Sequence, residues 1–213
     1  VLGSLPFGKN GFCEMAEGMP HQLSLMSLLK FNGYRTSFFY GGDSKFDYMN
    51  VFLKKQGVDA INDISTFGSE YEKMPKSSSG FSWGYGDREL FRHYFNTINT
   101  NPQQPRLNVL LTLSTHSPFL INEEDKYLNL FEERMNELHF SENEKVQHRD
   151  YKLKYASILF MDDAVRWFFS QYKLRPEFKN TIFIITGDHR MPEIPMSTKI
   201  DRYHVPLIIY SPL

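Results

Sequence analysis

The feature that most constrains the fold of this chain is a run of six β-branched or aromatic residues, TIFIIT, at positions 181–186. Such a run predicts a strand buried on both faces, which is typical of a parallel sheet. Gly187 ends the run and allows a sharp turn, and Asp188 and His189 follow directly. Open α/β sheets place their sites at the carboxyl ends of strands, so this pair is a candidate metal site. A turn aspartate beside a surface histidine is the plainer alternative.

The rest of the chain alternates predicted helices with predicted strands. We expect a loop at 65–82, a polar segment from 115 to 147, and Asp87 as the N-cap of the third helix. The pattern predicts one α/β domain over residues 1–213 with a largely parallel sheet flanked by helices. The predicted helices cover 20–32, 44–56, 88–98 and 149–172, and the predicted strands cover 34–40, 58–64, 107–114, 181–186 and 204–210.

Composition limits the classes of function. The 213 residues include 24 Lys and Arg against 25 Asp and Glu, a formal net charge of −1, which gives no electrostatic case for a nucleic-acid partner. Cys13 is the single cysteine, so an internal disulfide is excluded. No apolar run approaches the roughly 18 residues of a membrane span. The chain begins with Val1 and ends shortly after a predicted strand, so we expect both ends to be cut from a longer chain.

Histidines lie near the ends of three predicted strands. His116 follows the strand 107–114, His189 follows the strand 181–186, and His204 opens the last strand. If the strands are parallel, these ends, including the Tyr203-His204 segment before the last strand, share one edge of the sheet, where His and Asp side chains suit a metal or phosphate site. Each histidine also has an ordinary explanation: His116 as a turn or core residue, and His204 as the first residue of a strand.

Six segments, in this order, resemble the sulfatase-like family of the alkaline phosphatase superfamily that includes the lipoteichoic acid synthases and phosphoglycerol transferases. Their order and spacing are more specific than any one motif, and together they extend over most of the chain. The segments are GYRTSFFYGGDSKFDYMNVFLKKQGVD, WGYGDRELF, THSPF, YASILFMDDAVRWFF, TIFIITGDHR and YHVPLIIYSP.

This resemblance implies an enzyme that binds one divalent metal, typically manganese, with zinc or calcium as alternatives. Asp188 and His189 resemble two of its metal ligands. His116 resembles the family histidine that contacts the substrate headgroup and acts in catalysis, and Trp83 resembles its aromatic partner. The substrate-binding candidates are Trp83, Tyr85, His116, Arg190 and His204. A carboxylate beside an imidazole suits Mn²⁺ or Zn²⁺.

Two departures from the family pattern qualify these expectations. Lipoteichoic acid synthases carry a basic residue two positions after the tryptophan, whereas this chain has Tyr85, so the headgroup pocket is expected to differ. The threonine nucleophile and the first acidic metal ligand of the family precede the segment that VLGSLPFGK resembles. We therefore expect a fragment that holds metal weakly, does not turn over alone, and carries an exposed sheet edge that invites self-association.

The resemblance implies transfer of phosphoglycerol, or a related phospho headgroup, to lipid or glycan on the extracytoplasmic face of a bacterial membrane. Anchoring would come from segments outside these residues. One alternative is a sulfatase or phosphodiesterase that uses water as acceptor. Another is a non-catalytic domain that binds a polyol or glycan headgroup through Trp83, Tyr85 and His116.

Overall fold

The computed structural model describes residues 2, 15, 18–20, 22–98, 104–194, 198, 201 and 204–212. The chain forms two compact units. The first comprises Val1–Met74 and Phe81–Leu113, and the second comprises Pro75–Gly80 and Ser114–Leu213. None of the helices in these described ranges is long and apolar enough to cross a membrane. The sequence also predicts loops at 1–19 and 191–202, and most of the first and half of the second fall outside the described residues.

A parallel three-stranded sheet forms the centre of the first unit. Its order is β2-β1-β3, and Phe38 of β1 lies opposite Ile61 and Val109 of the two flanking strands. The parallel arrangement predicted from the helix–strand alternation is thereby confirmed. The strands are β1 (Arg35–Tyr40), β2 (Ala60–Asn62) and β3 (Arg106–Leu111).

Helices α1 (Leu25–Phe31) and α2 (Met49–Lys55) both start later than predicted. The side chain of Ser24 accepts a hydrogen bond from the Ser27 backbone N–H, and this capping box sets the start of α1. Asp47 and Tyr48 have positive φ, so they cannot continue a helix, and only a short 3₁₀ turn (Phe46–Tyr48) precedes α2. Both C-termini agree with the prediction.

The two faces of β1 are covered by different helices. On one face, Phe38 and Tyr40 pack with Met26 of α1 and Leu53 of α2 in a buried cluster. On the other face, the Phe39 ring lies edge-on to Tyr94 of α3 (Asp87–Thr97), with ring centroids 5.1 Å apart. This alternation along one strand follows from the period of two in β-structure. β1 is accordingly buried at five of its six residues.

Asp87 is the first residue of α3 rather than its N-cap, which is Gly86. Its side chain is fully buried, and Oδ1 accepts a hydrogen bond of 3.0 Å from the backbone N–H of Leu113. The N-cap prediction was therefore wrong by one residue. The carboxylate instead connects the start of α3 to the chain leaving β3, because a buried carboxylate needs a hydrogen-bond donor.

The second unit is largely helical up to residue 172. Its helices are α4 (Glu124–Glu137), α5 (Glu142–Arg149) and α6 (Lys152–Tyr172). The first two were missed, because 115–147 was interpreted as a polar segment without secondary structure. α4 packs against α6 through Tyr127, Ala156 and Phe160. Arg149 of α5 forms a bidentate ion pair with Glu132 of α4. Helix α6 confirms the helix predicted at 149–172 but starts at Lys152, because Arg149 ends α5.

Strands β4 (Phe183–Thr186) and β5 (Leu207–Tyr210) form a separate antiparallel pair in the second unit. Phe183 packs on Tyr172 of α6, with ring centroids 5.0 Å apart. The opposite face carries Ile184, which is 59% exposed, and Ile209, which is 66% exposed. The prediction that β4 is buried on both faces was wrong, because the face that carries Ile184 is exposed. The prediction of parallel pairing was also wrong, because β5 runs beside β4 in the opposite direction.

Candidate functional site

The candidate metal pair lies immediately after β4 and is open to solvent. The side chains of Asp188 and His189 are 60% and 57% exposed. Asp188 Oδ1 accepts a hydrogen bond of 2.9 Å from the His189 backbone N–H, which leaves Oδ2 facing outward. His189 Nε2 lies 3.9 Å from Asp188 Oδ2. Two donors of different chemistry therefore face the same space beyond the strand end.

The tautomer of His189 follows from its hydrogen bond. Nδ1 lies 2.6 Å from the carbonyl oxygen of Arg190. A carbonyl oxygen only accepts hydrogen bonds, so the proton of the neutral ring resides on Nδ1 and Nε2 keeps its lone pair. A histidine that binds a metal through one nitrogen commonly donates its other N–H to a carbonyl or carboxylate.

His116 lies close to His189. The two rings are arranged edge to face at 85°, and their centroids are 6.3 Å apart. His116 Nδ1 lies 3.0 Å from the Ser117 carbonyl oxygen, so its Nε2 is the acceptor nitrogen in the neutral form. The side chain is exposed. A histidine with this tautomer accepts a proton at Nε2, and donates from there once it is protonated.

His204 precedes β5, whose first residue Leu207 lies opposite Thr186, the last residue of β4. Val205, which lies between His204 and Leu207, is close to the residue that precedes the candidate pair, because a Cβ placed on Gly187 would lie 3.1 Å from Val205 Cγ1. The antiparallel pairing therefore brings the segment of His204 to the same end of the two-stranded sheet as Asp188. His204 is exposed, and its neighbour Tyr203 falls outside the described residues.

Arg190 is partly buried, and its guanidinium is directed at its own loop. Nη1 donates to the Ile194 carbonyl oxygen at 2.8 Å and reaches the Met191 carbonyl oxygen at 3.5 Å. Arg190 is one of the substrate-binding candidates that the family resemblance implies. In the structure, its hydrogen bonds are made to backbone carbonyl groups.

Trp83 and Tyr85 belong to the first unit and have different surroundings. Trp83 is partly exposed and contacts the rings of Phe46 and Phe81 edge to face, with centroids 5.2 and 5.0 Å away. Tyr85 is only 6% exposed, and its ring stacks on Phe67 at 4.2 Å. Trp83 thus has an accessible ring, whereas the ring of Tyr85 is part of the interior of this unit.

The close packing of two backbone segments, one at Gly41 and one at Gly84 and Tyr85, explains why position 84 is a glycine. The backbone N–H of Tyr85 donates to the Gly41 carbonyl oxygen at 3.0 Å. A Cβ on Gly84 would lie 2.3 Å from the same oxygen, and Gly84 has a φ of +125°. No other residue type fits at Gly84 without displacing the chain. This contact holds the segment of Trp83 against the turn that follows β1.

Sequence reasoning missed one buried titratable residue, His93. It lies on α3, is 7% exposed, and its Nε2 is 3.0 Å from Thr66 Oγ1. Its ring stacks on Phe67 at 4.2 Å. Burial lowers the pKa of His93, and the nearby Glu70 carboxylate offsets part of that effect. Its position among the core-facing residues of α3, between Leu90 and Tyr94, was the available sequence signal.

The donor types and spacing at Asp188 and His189 suit a divalent metal. Donors about 2.1 Å from one ion lie at most about 4.2 Å apart, and the observed 3.9 Å is within that limit. The carboxylate and the Nε2 lone pair fit Mn²⁺ or Zn²⁺. Among the described residues, no group of three or more His, Cys, Asp or Glu side chains is placed to hold an ion. The pair therefore fits as part of a coordination set.

Comparison with known proteins gives a consistent family relationship. The sulfatase family profile matches residues 3–213. A lipoteichoic acid synthase-like protein, YvgJ of Bacillus subtilis, is 25% identical over 170 residues, which are 79% of this chain and 24% of the relative. Phosphoglycerol transferase I of Citrobacter koseri is 23% identical over 191 residues, 86% of this chain and 22% of the relative. The chain thus spans about a quarter of the length of these relatives.

Solved structures show the same fold. An alkaline phosphatase superfamily protein from Vibrio parahaemolyticus has a TM-score of 0.73 at 21% identity, covering 99% of this chain and 47% of its own. The lipoteichoic acid synthase LtaP of Listeria monocytogenes has a TM-score of 0.71 at 18% identity, with 99% and 51% covered. The C-terminal periplasmic domain of EptC from Escherichia coli has a TM-score of 0.57 at 15% identity, with 89% and 52% covered. The fold class expected from the sequence is confirmed.

Proposed function

Because the chain belongs to the sulfatase family, we propose that it is part of a metal-dependent enzyme that transfers phosphoglycerol, or a related phospho headgroup, to lipid or glycan. The observation that carries this proposal is the arrangement after β4. Asp188 and His189 present two metal-compatible donors, and the ring of His116 lies 6.3 Å from that of His189. A metal pair beside a second histidine suits phosphoryl transfer, since that reaction needs charge stabilisation and proton transfer in one place.

Asp188 would hold the ion through Oδ2 and His189 through Nε2. When bound, a divalent ion would stabilise the negative charge that develops on phosphoryl oxygens. Two protein donors rarely hold an ion tightly, so we propose that these residues alone bind it weakly. Manganese is the proposed ion, with zinc and calcium as alternatives.

His116 would act on the substrate rather than on the ion. Its Nδ1–H donates to the Ser117 carbonyl oxygen, so the lone pair of the neutral ring is on Nε2, which would take a proton from a hydroxyl or, once protonated, donate to a phosphate oxygen. Trp83 offers an accessible indole ring that suits the C–H face of a glycerol or sugar. Tyr85, with its buried ring, would support the segment of Trp83, and His204 is a further candidate for substrate contact.

The proposed location is outside the cytoplasm, at the bacterial cell envelope. Two observations support it: a relative is a lipoteichoic acid synthase-like protein, and a structural neighbour is a periplasmic domain. The proposed partners are a phospholipid or glycan headgroup. The family description also supports a second candidate, a sulfatase or phosphodiesterase in which water replaces the acceptor hydroxyl.

The test is to replace Asp188 by Ala in the protein as its host produces it and to measure manganese-dependent cleavage of a phosphoglycerol lipid. Loss of a residue that hydrogen-bonds to a metal ligand typically lowers activity by about 10- to 100-fold. Loss of a ligand itself should lower turnover by more than that. Asp162→Ala is the matched control, because Asp162 is an exposed aspartate of the same unit that pairs with Arg166. Unchanged activity in Asp188→Ala would overturn the metal assignment. Release of free glycerol phosphate with no transfer product would favour the hydrolase.

A further inference from the structure

Arg190 closes the turn that follows the candidate metal pair. Its Nη1 donates to the Ile194 carbonyl oxygen at 2.8 Å, and the Ile194 backbone N–H points back to the Met191 carbonyl oxygen at 3.4 Å. The Arg190 Nε is buried and makes no hydrogen bond within the described part of the chain. The guanidinium is therefore hydrogen-bonded to the loop 190–194 through Nη1, and its Nε is shielded from solvent.

The backbone of the same residue controls the imidazole of His189. The Arg190 carbonyl oxygen accepts the Nδ1–H at 2.6 Å. The position of this carbonyl oxygen depends on the backbone of the turn 190–194, which the Arg190 side chain closes. A change in that turn would move the acceptor away from Nδ1, and the ring would lose the contact that sets its tautomer and its orientation.

We propose that Arg190 is a positioning residue for His189. The guanidinium holds the turn 190–194 closed, and the closed turn keeps the Arg190 carbonyl oxygen where it receives the Nδ1–H. In the neutral ring the lone pair is then on His189 Nε2, which lies 3.9 Å from Asp188 Oδ2. The part of this proposal that concerns the ion rests on the proposed function, whereas the part that concerns the tautomer does not.

A substrate-binding role for Arg190 makes a different prediction. A guanidinium that binds a phosphate presents paired N–H donors to the ligand. Here Nη1 is occupied by main-chain carbonyl groups and Nε is buried. Loss of a substrate contact would raise the KM for the phospholipid and leave His189 unchanged, whereas loss of a positioning residue would alter His189 in the absence of any substrate.

The first experiment is a long-range ¹H–¹⁵N spectrum of the histidine side chains in metal-free protein, recorded about two pH units above the ordinary histidine pKa of about 6.5. We expect His189 to show the Nδ1–H tautomer. In Arg190→Met, we expect a mixture in which the Nε2–H tautomer predominates. Arg190→Lys should retain most of the native signal, because one ammonium N–H can still reach the Ile194 carbonyl oxygen. A native His189 pattern in Arg190→Met would overturn the proposal.

The second experiment measures Mn²⁺ binding by electron paramagnetic resonance. Outer-shell partners of metal-binding histidines typically contribute about 10- to 100-fold in affinity, and we expect a loss in that range for Arg190→Met. Arg166→Met is the matched control, because Arg166 is an exposed arginine of the same unit that pairs with Asp162. The control should leave both the tautomer and the affinity unchanged, and an equal effect in it would overturn the proposal.

The two experiments separate failure of this proposal from failure of the proposed function. If the protein as its host produces it binds no Mn²⁺ and Arg190→Met still shifts the tautomer, the metal assignment fails and the positioning role stands. If Arg190→Met does not give a native amide spectrum, Arg190→Gln replaces it, since glutamine is shorter and cannot span the turn. An unchanged tautomer in a folded Arg190→Gln would then overturn the proposal.

Discussion

The imidazole rings of His116 and His189 lie edge to face, with their centroids 6.3 Å apart. One histidine follows β3 along the chain and the other follows β4, so the contact joins two residues that are distant in sequence. Both rings donate from Nδ1 to a nearby main-chain carbonyl oxygen. In this tautomer the lone pair of each neutral ring is on Nε2, where we propose that His189 binds an ion and that His116 takes up a proton.

Replacing His116 by Ala should separate these two roles. We expect Mn²⁺ binding to survive and turnover to fall by about 10²- to 10⁴-fold, the usual range for loss of a proton-transferring group. Binding is measured by electron paramagnetic resonance and turnover with a phosphoglycerol lipid. His148→Ala, at a half-buried histidine on α5, serves as the control and should change neither. Loss of bound metal in His116→Ala would show that His116 is a ligand.

The buried His93 should make the stability of the protein depend on pH. Its pKa is lowered in the folded chain, so the unfolded chain binds the proton more readily below its ordinary pKa of about 6.5. The free energy of unfolding should therefore be highest above pH 6.5 and should decrease as the pH falls below it. The slope from this one group is at most about 1.4 kcal/mol per pH unit.

The measurement is urea unfolding at a series of pH values, with His93→Gln as the comparison. Glutamine keeps a hydrogen-bonding group near Thr66 but does not titrate, so the decrease in stability below pH 6.5 should become shallower. Glu70, Arg92 and Tyr71 lie near His93 and are retained in both proteins. Identical pH profiles for the two proteins would show that His93 does not control this dependence.

The outer face of β4 and β5 should promote self-association. Ile184 and Ile209 lie directly opposite each other and are 59% and 66% exposed. Burying one such side chain contributes about 1.5–3 kcal/mol, so Ile209→Lys should weaken association by about tenfold or more. Sedimentation velocity over a concentration series measures the change. Leu174→Lys, at an exposed leucine outside the strands, should behave like the unchanged protein, and an equal effect in both variants would count against this face.

Local features of the sequence predicted a large part of the fold. The first helix ends at Asn32 as predicted, and the strand predicted at 34–40 and the helix predicted at 149–172 are observed at 35–40 and 152–172. The same reasoning missed α4 and α5, although α4 buries Tyr127, Phe131 and Met135 at helical spacing, whereas α5 buries no residue. Ser141 and Glu144 form a capping box at the start of α5, and this pair is a sequence signal for the start of a helix.

The surroundings of the candidate site residues were less predictable. Tyr85 was expected at the substrate, and its ring instead stacks on Phe67 inside the first unit. Arg190 was considered as a cation for the substrate, and its guanidinium donates to the carbonyl oxygen of Ile194. In both cases the residue type was compatible with either role. The choice depended on contacts that short-range patterns do not specify.

The sequence by itself determined the strand 183–186 and the order Gly187, Asp188 and His189 that follows it, because β-propensity and turn formation act over a few residues. Only the tertiary structure decided that β5 pairs with β4 in the antiparallel direction, and that His116 comes to lie beside His189. The physical reason is that an apolar run specifies burial without specifying a partner. Pairing and side-chain contacts come from packing between residues that are far apart in the chain.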